Sequence, residues 1–231
     1  MFNSDKTKRF GDIEVAYQLD PRSDKYIILF HGFGADCWDL FNLKEYAKWS
    51  KSYNWYHPNG IRPANGVPSG RAWYPIDIMA LERAMRAGEH RDFSNDRPQD
   101  ADKTLAHVIK MFKEMNIPPE KTIIGGFSQG AMLALELALN TDLPFAGILL
   151  LSGALIDSPK IIEKAKKRKG FRFYQSHGVN DIILSHNSAE MLSKKLLEAG
   201  WDGYFQSFEG GHEIPPHVIN DMKDFIQGTL R

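Results

Sequence analysis

Ser128 lies in the sequence Gly126-Phe127-Ser128-Gln129-Gly130, a pattern that can hold a serine hydroxyl on a tight turn as a nucleophile. The residues before it, 122–124, are rich in β-branched side chains, as is typical of a buried strand. Residues 131–139 are almost all strong helix formers. A glycine stands on each side because a Cβ there would crowd the neighbouring backbone. The sequence therefore predicts a strand, a strained turn and a helix, with the serine at the junction.

A serine hydroxyl needs a base to become a useful nucleophile near neutral pH, and histidine is the side chain suited to that task. A carboxylate must then orient the imidazole, and where a serine sits on such a turn the chain order is serine, acid, histidine. Of the four histidines after Ser128, three lie at a predicted strand end or in helical segments. Only His212 follows the last predicted strand, in a Gly-Gly-His loop. We therefore predict His212 as the base.

Four aspartates between Ser128 and His212 are candidates for the acid. Asp142 follows the predicted helix after the serine and Asp202 precedes a predicted strand, so both are expected at the opposite end of the sheet. Asp181 follows the strand predicted over 171–176, at the same sheet edge as Ser128. Asp157, which follows Leu151-Ser152-Gly153, remains the alternative, and we favour Asp181.

Acyl transfer also requires backbone N–H groups that stabilise a developing oxyanion. The N–H of Gln129, directly after the serine, is the first predicted donor. The second is Phe33, in the glycine-rich loop His31-Gly32-Phe33-Gly34 that follows the strand predicted over 26–30.

These residues must be positioned by alternating strands and helices. Strands are predicted over 9–18, 26–30, 53–57, 122–124, 146–151, 171–176 and 204–208, and helices over 38–49, 76–86, 100–115, 131–139, 160–169, 188–199 and 216–229, with a loop over 59–70. This alternation predicts an α/β fold with a mostly parallel central sheet and helices on both faces. Neither a repeat nor a linker divides the chain, so we expect a single domain over 1–231.

Composition excludes several classes of function. Lys+Arg and Asp+Glu balance at 29 each, which favours neither nucleic acid nor a membrane surface as a partner. Apolar runs are too short for a membrane helix, and the N-terminus does not resemble a signal peptide. The single cysteine, Cys37, fits a reducing compartment, so a cytoplasmic protein without stable membrane insertion is expected.

In the serine turn, the glycine-rich loop and the loops of the predicted acid and histidine, the chain resembles the phospholipase/carboxylesterase family of α/β-hydrolases, which includes the acyl-protein thioesterases. The matching segments are His31 to Asp36, Arg71-Ala72-Trp73-Tyr74, Gly126 to Gly130, Leu151-Ser152-Gly153, His177 to Asp181, and Gly211-His212-Glu213-Ile214, and they span nearly the whole chain. The resemblance implies a Ser128–Asp181–His212 triad, Phe33 and Gln129 as oxyanion donors, and hydrolysis of esters or thioesters without metal or cofactor. It further implies a small ester or thioester substrate, lipid-derived esters included.

The chain departs from the family pattern around the acyl side of the site. Cys37 and Trp38 stand where small or polar residues are usual, and the segment before Trp73 and Tyr74 is compact. We predict these four residues as substrate-binding, with packing as the alternative for Trp38, Trp73 and Tyr74 and a small apolar or loop residue as the alternative for Cys37. The remaining functional alternatives are a peptidase or lactonase on the same fold and a binding module without catalysis. A monomer and a homodimer both fit the sequence.

Overall fold

A central eight-stranded sheet organises the molecule in a computed structural model that describes residues 6–95 and 97–231. The strands are β1 (Thr7–Phe10), β2 (Ile13–Gln18), β3 (Tyr26–Phe30), β4 (Asn54–Pro58), β5 (Arg62–Pro63), β6 (Arg71–Ala72), β7 (Thr122–Phe127), β8 (Gly147–Leu151), β9 (Arg172–Gly178) and β10 (Asp202–Phe208). The order in the sheet is β1-β2-β4-β3-β7-β8-β9-β10, and β5 pairs with β6 separately. Only the β1–β2 and β2–β4 pairs in this sheet are antiparallel. The predicted mostly parallel sheet is confirmed.

Six α-helices occur in the described residues: α1 (Ile78–Arg86), α2 (Ala101–Met115), α3 (Gln129–Asn140), α4 (Ser158–Lys166), α5 (His186–Glu198) and α6 (Pro216–Thr229). Side chains of a strand point alternately to the two faces, so each central strand contributes to two cores. In β3, Ile28 and Phe30 belong to a core cluster that includes residues of α2, α3, α4 and α5, whereas Ile27 and Leu29 belong to a second cluster that includes residues of α6. Helices therefore cover both faces, as the sequence predicts. None of the helices in the described residues is long and apolar enough to span a membrane.

The helix predicted over 38–49 is wrong. The structure has successive turns there and one short 3₁₀ segment, Leu43–Tyr46. Asp36 accepts the Trp38 N–H on its side chain at 2.8 Å, and i→i+3 bonds follow, such as Phe41 N–H to the Trp38 carbonyl at 3.2 Å. An acidic side chain that bonds the nearby backbone competes with helix formation. The aromatic residues then pack into a small cluster with Ala16 and Cys37.

Two other segments differ from their predictions. The single strand expected over 9–18 is a hairpin of β1 and β2, because Gly11 adopts a φ of 57° and turns the chain. The loop expected over 59–70 contains β5, which pairs with β6 and carries the chain back toward the glycine-rich loop after β3. Gly34 N–H donates to the Arg71 carbonyl at 2.9 Å, and Arg71 N–H donates to the Ala35 carbonyl at 2.8 Å.

Candidate active site

Ser128 occupies the turn between β7 and α3 in a conformation that few non-glycine residues adopt, with φ 54° and ψ −118°. Its N–H donates to the Leu151 carbonyl at 2.9 Å, which ties the turn to β8. A Cβ on Gly130 would overlap the Phe30 carbonyl oxygen, and one on Gly126 would crowd the same oxygen. The predicted reason for both glycines is therefore confirmed. The close approach of β3, β7 and α3 leaves no room for a larger residue.

His212 and Asp181 come from loops after β10 and β9 and meet beside Ser128. The imidazole Nδ1 lies 2.6 Å from Asp181 Oδ2. The Asp181 side chain is fully buried, whereas the His212 side chain is 13% exposed. The imidazole also packs on the Phe127 ring, with 4.7 Å between the ring centroids. This arrangement fixes the plane of the ring and directs its Nε2 away from the acid.

Asp181 accepts hydrogen bonds at both carboxylate oxygens. Oδ1 accepts the N–H groups of Ile183 at 2.8 Å and Leu184 at 3.0 Å. Oδ2 lies 2.6 Å from His212 Nδ1 and 3.1 Å from His177 Nε2. Burial by itself raises the pKa of Asp181, but hydrogen bonds from the two histidines and the backbone outweigh it and hold that pKa well below its usual range. Asp181 is therefore an anion at neutral pH.

The loop that carries Asp181 and the loop that carries His212 lie close together because Gly178, at the end of β9, has no side chain between them. Its Cβ position would overlap the Gly211 carbonyl oxygen. The Asn180 N–H donates to the Gly210 carbonyl at 2.9 Å across the same gap. A side chain at position 178 would therefore require the backbone at Gly210 and Gly211 to move.

The Ser128 hydroxyl makes no hydrogen bond to a described residue, although Ser128 and His212 line the same cavity. Hydrogen bonds between a nucleophile and its base are commonly loose before substrate binds.

Two backbone N–H groups stand free beside Ser128. Gln129 is the first residue of α3, where N–H groups lack a partner inside the helix. Phe33 follows Gly32 in the loop after β3, and a Cβ on Gly32 would lie 3.4 Å from the Ser128 Cβ. Neither N–H donates to any atom of the described residues. They are therefore free to donate to an acceptor placed beside the serine.

A cavity of about 590 Å³ opens beside these groups. Its described lining combines Ser128, His212 and the glycine-rich loop with an apolar wall; that wall includes Phe93, Met132, Ile156, Ile183 and Leu184. Arg91 and Arg97 also border it. The size and the apolar wall suit an organic substrate with an aliphatic part.

Of the four residues predicted to bind substrate, Tyr74 alone belongs to the described lining of this cavity. Trp73 is fully buried and packs edge-on against Phe30, with 5.3 Å between ring centroids. Cys37 and Trp38 lie in the small cluster beneath the turns after β3. Burial raises the pKa of the Cys37 thiol to about 12, so this residue is an uncharged packing group.

The competing acid, Asp157, lies at the start of α4 and contacts no histidine among the described residues. Its Oδ2 atom is 3.7 Å from Lys164 Nζ. Two cations of the basic run 164–169 bond to α3 and to the loop after it. Lys164 donates to Asn140 Oδ1, at the end of α3, at 2.9 Å, and Arg168 donates to the Leu143 carbonyl in the loop at 2.8 Å. Lys164 and Arg168 therefore have structural partners within the protein.

Two further histidines contact the acid loop, and sequence reasoning did not assign them a role. His177 Nε2 lies between Asp181 Oδ2 and the Leu184 carbonyl, 3.0 Å from the latter. His90, from the segment between α1 and α2, has its Nε2 2.7 Å from the Asp181 carbonyl. The first contact could have been found from the sequence, because His177 stands only four residues before Asp181 at the end of the same strand. Nothing in the sequence links His90 to a residue 91 positions away.

Comparisons with known proteins identify the family of this chain. The sequence profile of the family described as phospholipase/carboxylesterase matches residues 12–230. Acyl-protein thioesterase 1 of Eremothecium gossypii is 28% identical over 229 residues, which cover 94% of this chain and 93% of that protein. The match to acyl-protein thioesterase 1 of Candida albicans is 29% identical over 129 residues, covering 53% of this chain and 56% of that protein.

Among solved structures, esterase PE8 superposes with a TM-score of 0.75 and 25% sequence identity, over 90% of this chain and 94% of that chain. The family match covers the sheet from β2 onward, the serine turn and the loops that carry Asp181 and His212. This chain therefore has the α/β-hydrolase fold and belongs to the phospholipase/carboxylesterase family, as a carboxylic ester hydrolase.

Proposed function

We propose that the protein hydrolyses carboxylic esters and thioesters through a covalent acyl-enzyme on Ser128. The observation that carries the proposal is the 2.6 Å contact between His212 Nδ1 and the buried Asp181 carboxylate, next to a cavity that His212 and Ser128 both line. A buried anion at Nδ1 favours the tautomer in which Nε2 is unprotonated and can accept a proton. It also stabilises the imidazolium that forms when the proton is accepted.

The proposed reaction has two stages. Ser128 Oγ attacks the carbonyl carbon while His212 Nε2 removes the hydroxyl proton. The tetrahedral oxyanion accepts hydrogen bonds from the Phe33 and Gln129 N–H groups. The imidazolium then protonates the departing alcohol or thiol, and a water activated by the same imidazole releases the acid and restores Ser128.

The apolar wall favours an aliphatic acyl group of medium length, because burial of each methylene stabilises the complex by about 0.8 kcal/mol. Thioester substrates are supported by relatives named acyl-protein thioesterase. We also propose that residues 1–231 form one catalytic domain, without cofactor, acting as a monomer or homodimer in the cytoplasm. Size-exclusion chromatography with light scattering separates the two oligomeric states.

The test is Ser128→Ala, assayed with p-nitrophenyl esters and acyl thioesters of increasing acyl length, together with labelling by a fluorophosphonate probe. We expect hydrolysis and labelling to be lost in Ser128→Ala, with kcat reduced by about 10⁴-fold or more. Ser193→Ala, at a buried serine of α5, is the matched control and should retain wild-type kcat. Hydrolysis by Ser128→Ala at the wild-type rate would reject the proposal.

A further inference from the structure

Buried hydrogen bonds connect the backbone of Trp73 and Tyr74 to the side chains of Gln129 and Thr104. The Trp73 N–H donates to the side-chain oxygen of Gln129 at 2.8 Å, and the Gln129 amide donates to the Tyr74 carbonyl at 3.0 Å. The Thr104 hydroxyl donates to the Trp73 carbonyl at 2.8 Å. All these groups are buried. The backbone of this segment is therefore locked to the first residue of α3.

The indole of Trp73 extends the same connection to the glycine-rich loop. Its Nε1–H donates to the His31 carbonyl at 2.9 Å, and the indole and imidazole ring centroids are 5.2 Å apart. Trp73 is fully buried. Its indole thus ties together two segments that the sequence separates by 42 residues.

His31 in turn orients the peptide unit that carries the Phe33 N–H. Its Nε2 accepts the Gly60 N–H at 2.9 Å, so the ring proton is on Nδ1, which donates to the Gly32 carbonyl at 2.7 Å. Burial lowers the pKa of His31 to about 4, which keeps this neutral form at neutral pH. In a trans peptide the C=O and N–H point in opposite directions. A fixed Gly32 carbonyl therefore fixes the direction of the Phe33 N–H.

The two candidate oxyanion donors are thus joined through Trp73. Phe33 is held by His31, His31 by the Trp73 indole, and the Trp73 backbone by the side chain of Gln129, whose own N–H is the second donor. We propose that Trp73 is a positioning residue that sets the distance and orientation between the Phe33 and Gln129 N–H groups. This inference rests on the proposed function, because it assigns those N–H groups to an oxyanion.

A change in the spacing of the two N–H groups should lower kcat. Oxyanion donors act only within about 2.7–3.1 Å of the transition-state oxygen, and loss of one donor lowers kcat by about 10²–10³-fold in serine hydrolases. A displaced but surviving donor should cost less than a missing one. Substrate in its ground state does not depend on this spacing, so KM should change little.

The decisive variant is Trp73→Phe, which removes the indole N–H and keeps an aromatic ring. Trp201→Phe is the matched control, since Trp201 is also buried and its Nε1–H donates to the Ala165 carbonyl at 2.9 Å, in a different part of the fold. We expect kcat for a p-nitrophenyl ester to fall about 10- to 100-fold in Trp73→Phe, with KM within threefold of wild type. Affinity for a trifluoromethyl ketone, which forms a tetrahedral adduct, should fall by a similar factor. Trp201→Phe should keep wild-type kcat.

Gln129→Met provides a second route, because it removes both side-chain hydrogen bonds and keeps the backbone N–H. We expect it to lower kcat similarly, and the double variant with Trp73→Phe to lose less than the product of the two single effects. If Trp73→Phe does not fold, Gln129→Met decides the question against the buried control Gln175→Met.

The inference is overturned if the site variants reduce kcat no more than their controls, or if the loss appears in KM alone. Ser128→Ala keeps the two proposals separate. An active Ser128→Ala enzyme rejects the proposed function, whereas an inactive one combined with unaffected Trp73→Phe and Gln129→Met rejects only the positioning role.

Discussion

Replacing Asp181 by asparagine tests the site most sharply, because the structure dictates how the new amide must sit. Oδ1 accepts two backbone N–H groups, from Ile183 and Leu184, so the amide oxygen has to occupy that position. The amide NH₂ is then placed at the Oδ2 position, facing His212 Nδ1 and His177 Nε2. Two donors cannot face each other, so His212 must carry its proton on Nε2.

In that tautomer His212 cannot accept the Ser128 proton. The corresponding change in a serine protease triad lowers kcat by about 10⁴-fold. At 1.36 kcal/mol for each factor of ten, this is about 5.4 kcal/mol of lost transition-state stabilisation. The side chain keeps its size and its two backbone contacts, so we expect Asp181→Asn to remain folded.

The assay is steady-state hydrolysis of p-nitrophenyl butyrate near pH 8, with thermal unfolding measured on the same samples. Asp157→Asn is the matched control, since Asp157 is also a buried aspartate after a parallel strand and should retain kcat within about threefold. The reasoning fails if folded Asp181→Asn keeps more than a hundredth of wild-type kcat. A larger loss in Asp157→Asn than in Asp181→Asn would transfer the role of the acid to Asp157.

Two further predictions concern stability and substrate size. His57 is buried with neither ring nitrogen hydrogen-bonded to a described residue, and burial lowers its pKa from 6.5 to about 3. Because the unfolded chain binds this proton more readily, the contribution of His57 to the free energy of unfolding is complete above pH 6.5. It is lost as the pH falls toward 3, by up to about 5 kcal/mol at 1.36 kcal/mol per pKa unit. Denaturant unfolding of His57→Leu should show a weaker loss between those pH values than wild type or the exposed-site control His217→Leu; an unchanged pH dependence would contradict the prediction. Met132 lines the cavity from α3, and Met132→Trp should fill space used by the acyl chain. Loss of about two buried methylenes lowers the ratio of kcat/KM for octanoyl over acetyl esters about tenfold; an unchanged ratio would place the acyl chain elsewhere.

Local chemistry in the sequence was sufficient for the serine turn and most of the elements. β-branched residues before Ser128, glycines around it and helix formers after it act within a dozen residues, so they identify β7, the turn and α3 without knowledge of the rest of the fold. The mostly parallel sheet followed in the same way from alternating strand and helix patterns. The prediction for residues 38–49 failed because the Asp36 side chain accepts the Trp38 N–H, and a hydrophobic pattern does not reveal such competition with helix formation.

Contacts over long sequence separations required the tertiary structure. The composition and order of residues predicted which serine, acid and histidine should meet, because parallel strands bring their carboxyl ends to one edge. They did not predict that His177 and His90 contact Asp181, nor that Trp73 is buried and bonded to the His31 carbonyl and the Gln129 side chain while Tyr74 lines the cavity. Those outcomes depend on the distance between loops and on the packing of side chains around Trp73. Sequence alone determined the chemistry available to this protein, and only the packed fold decided which groups hold that chemistry in place.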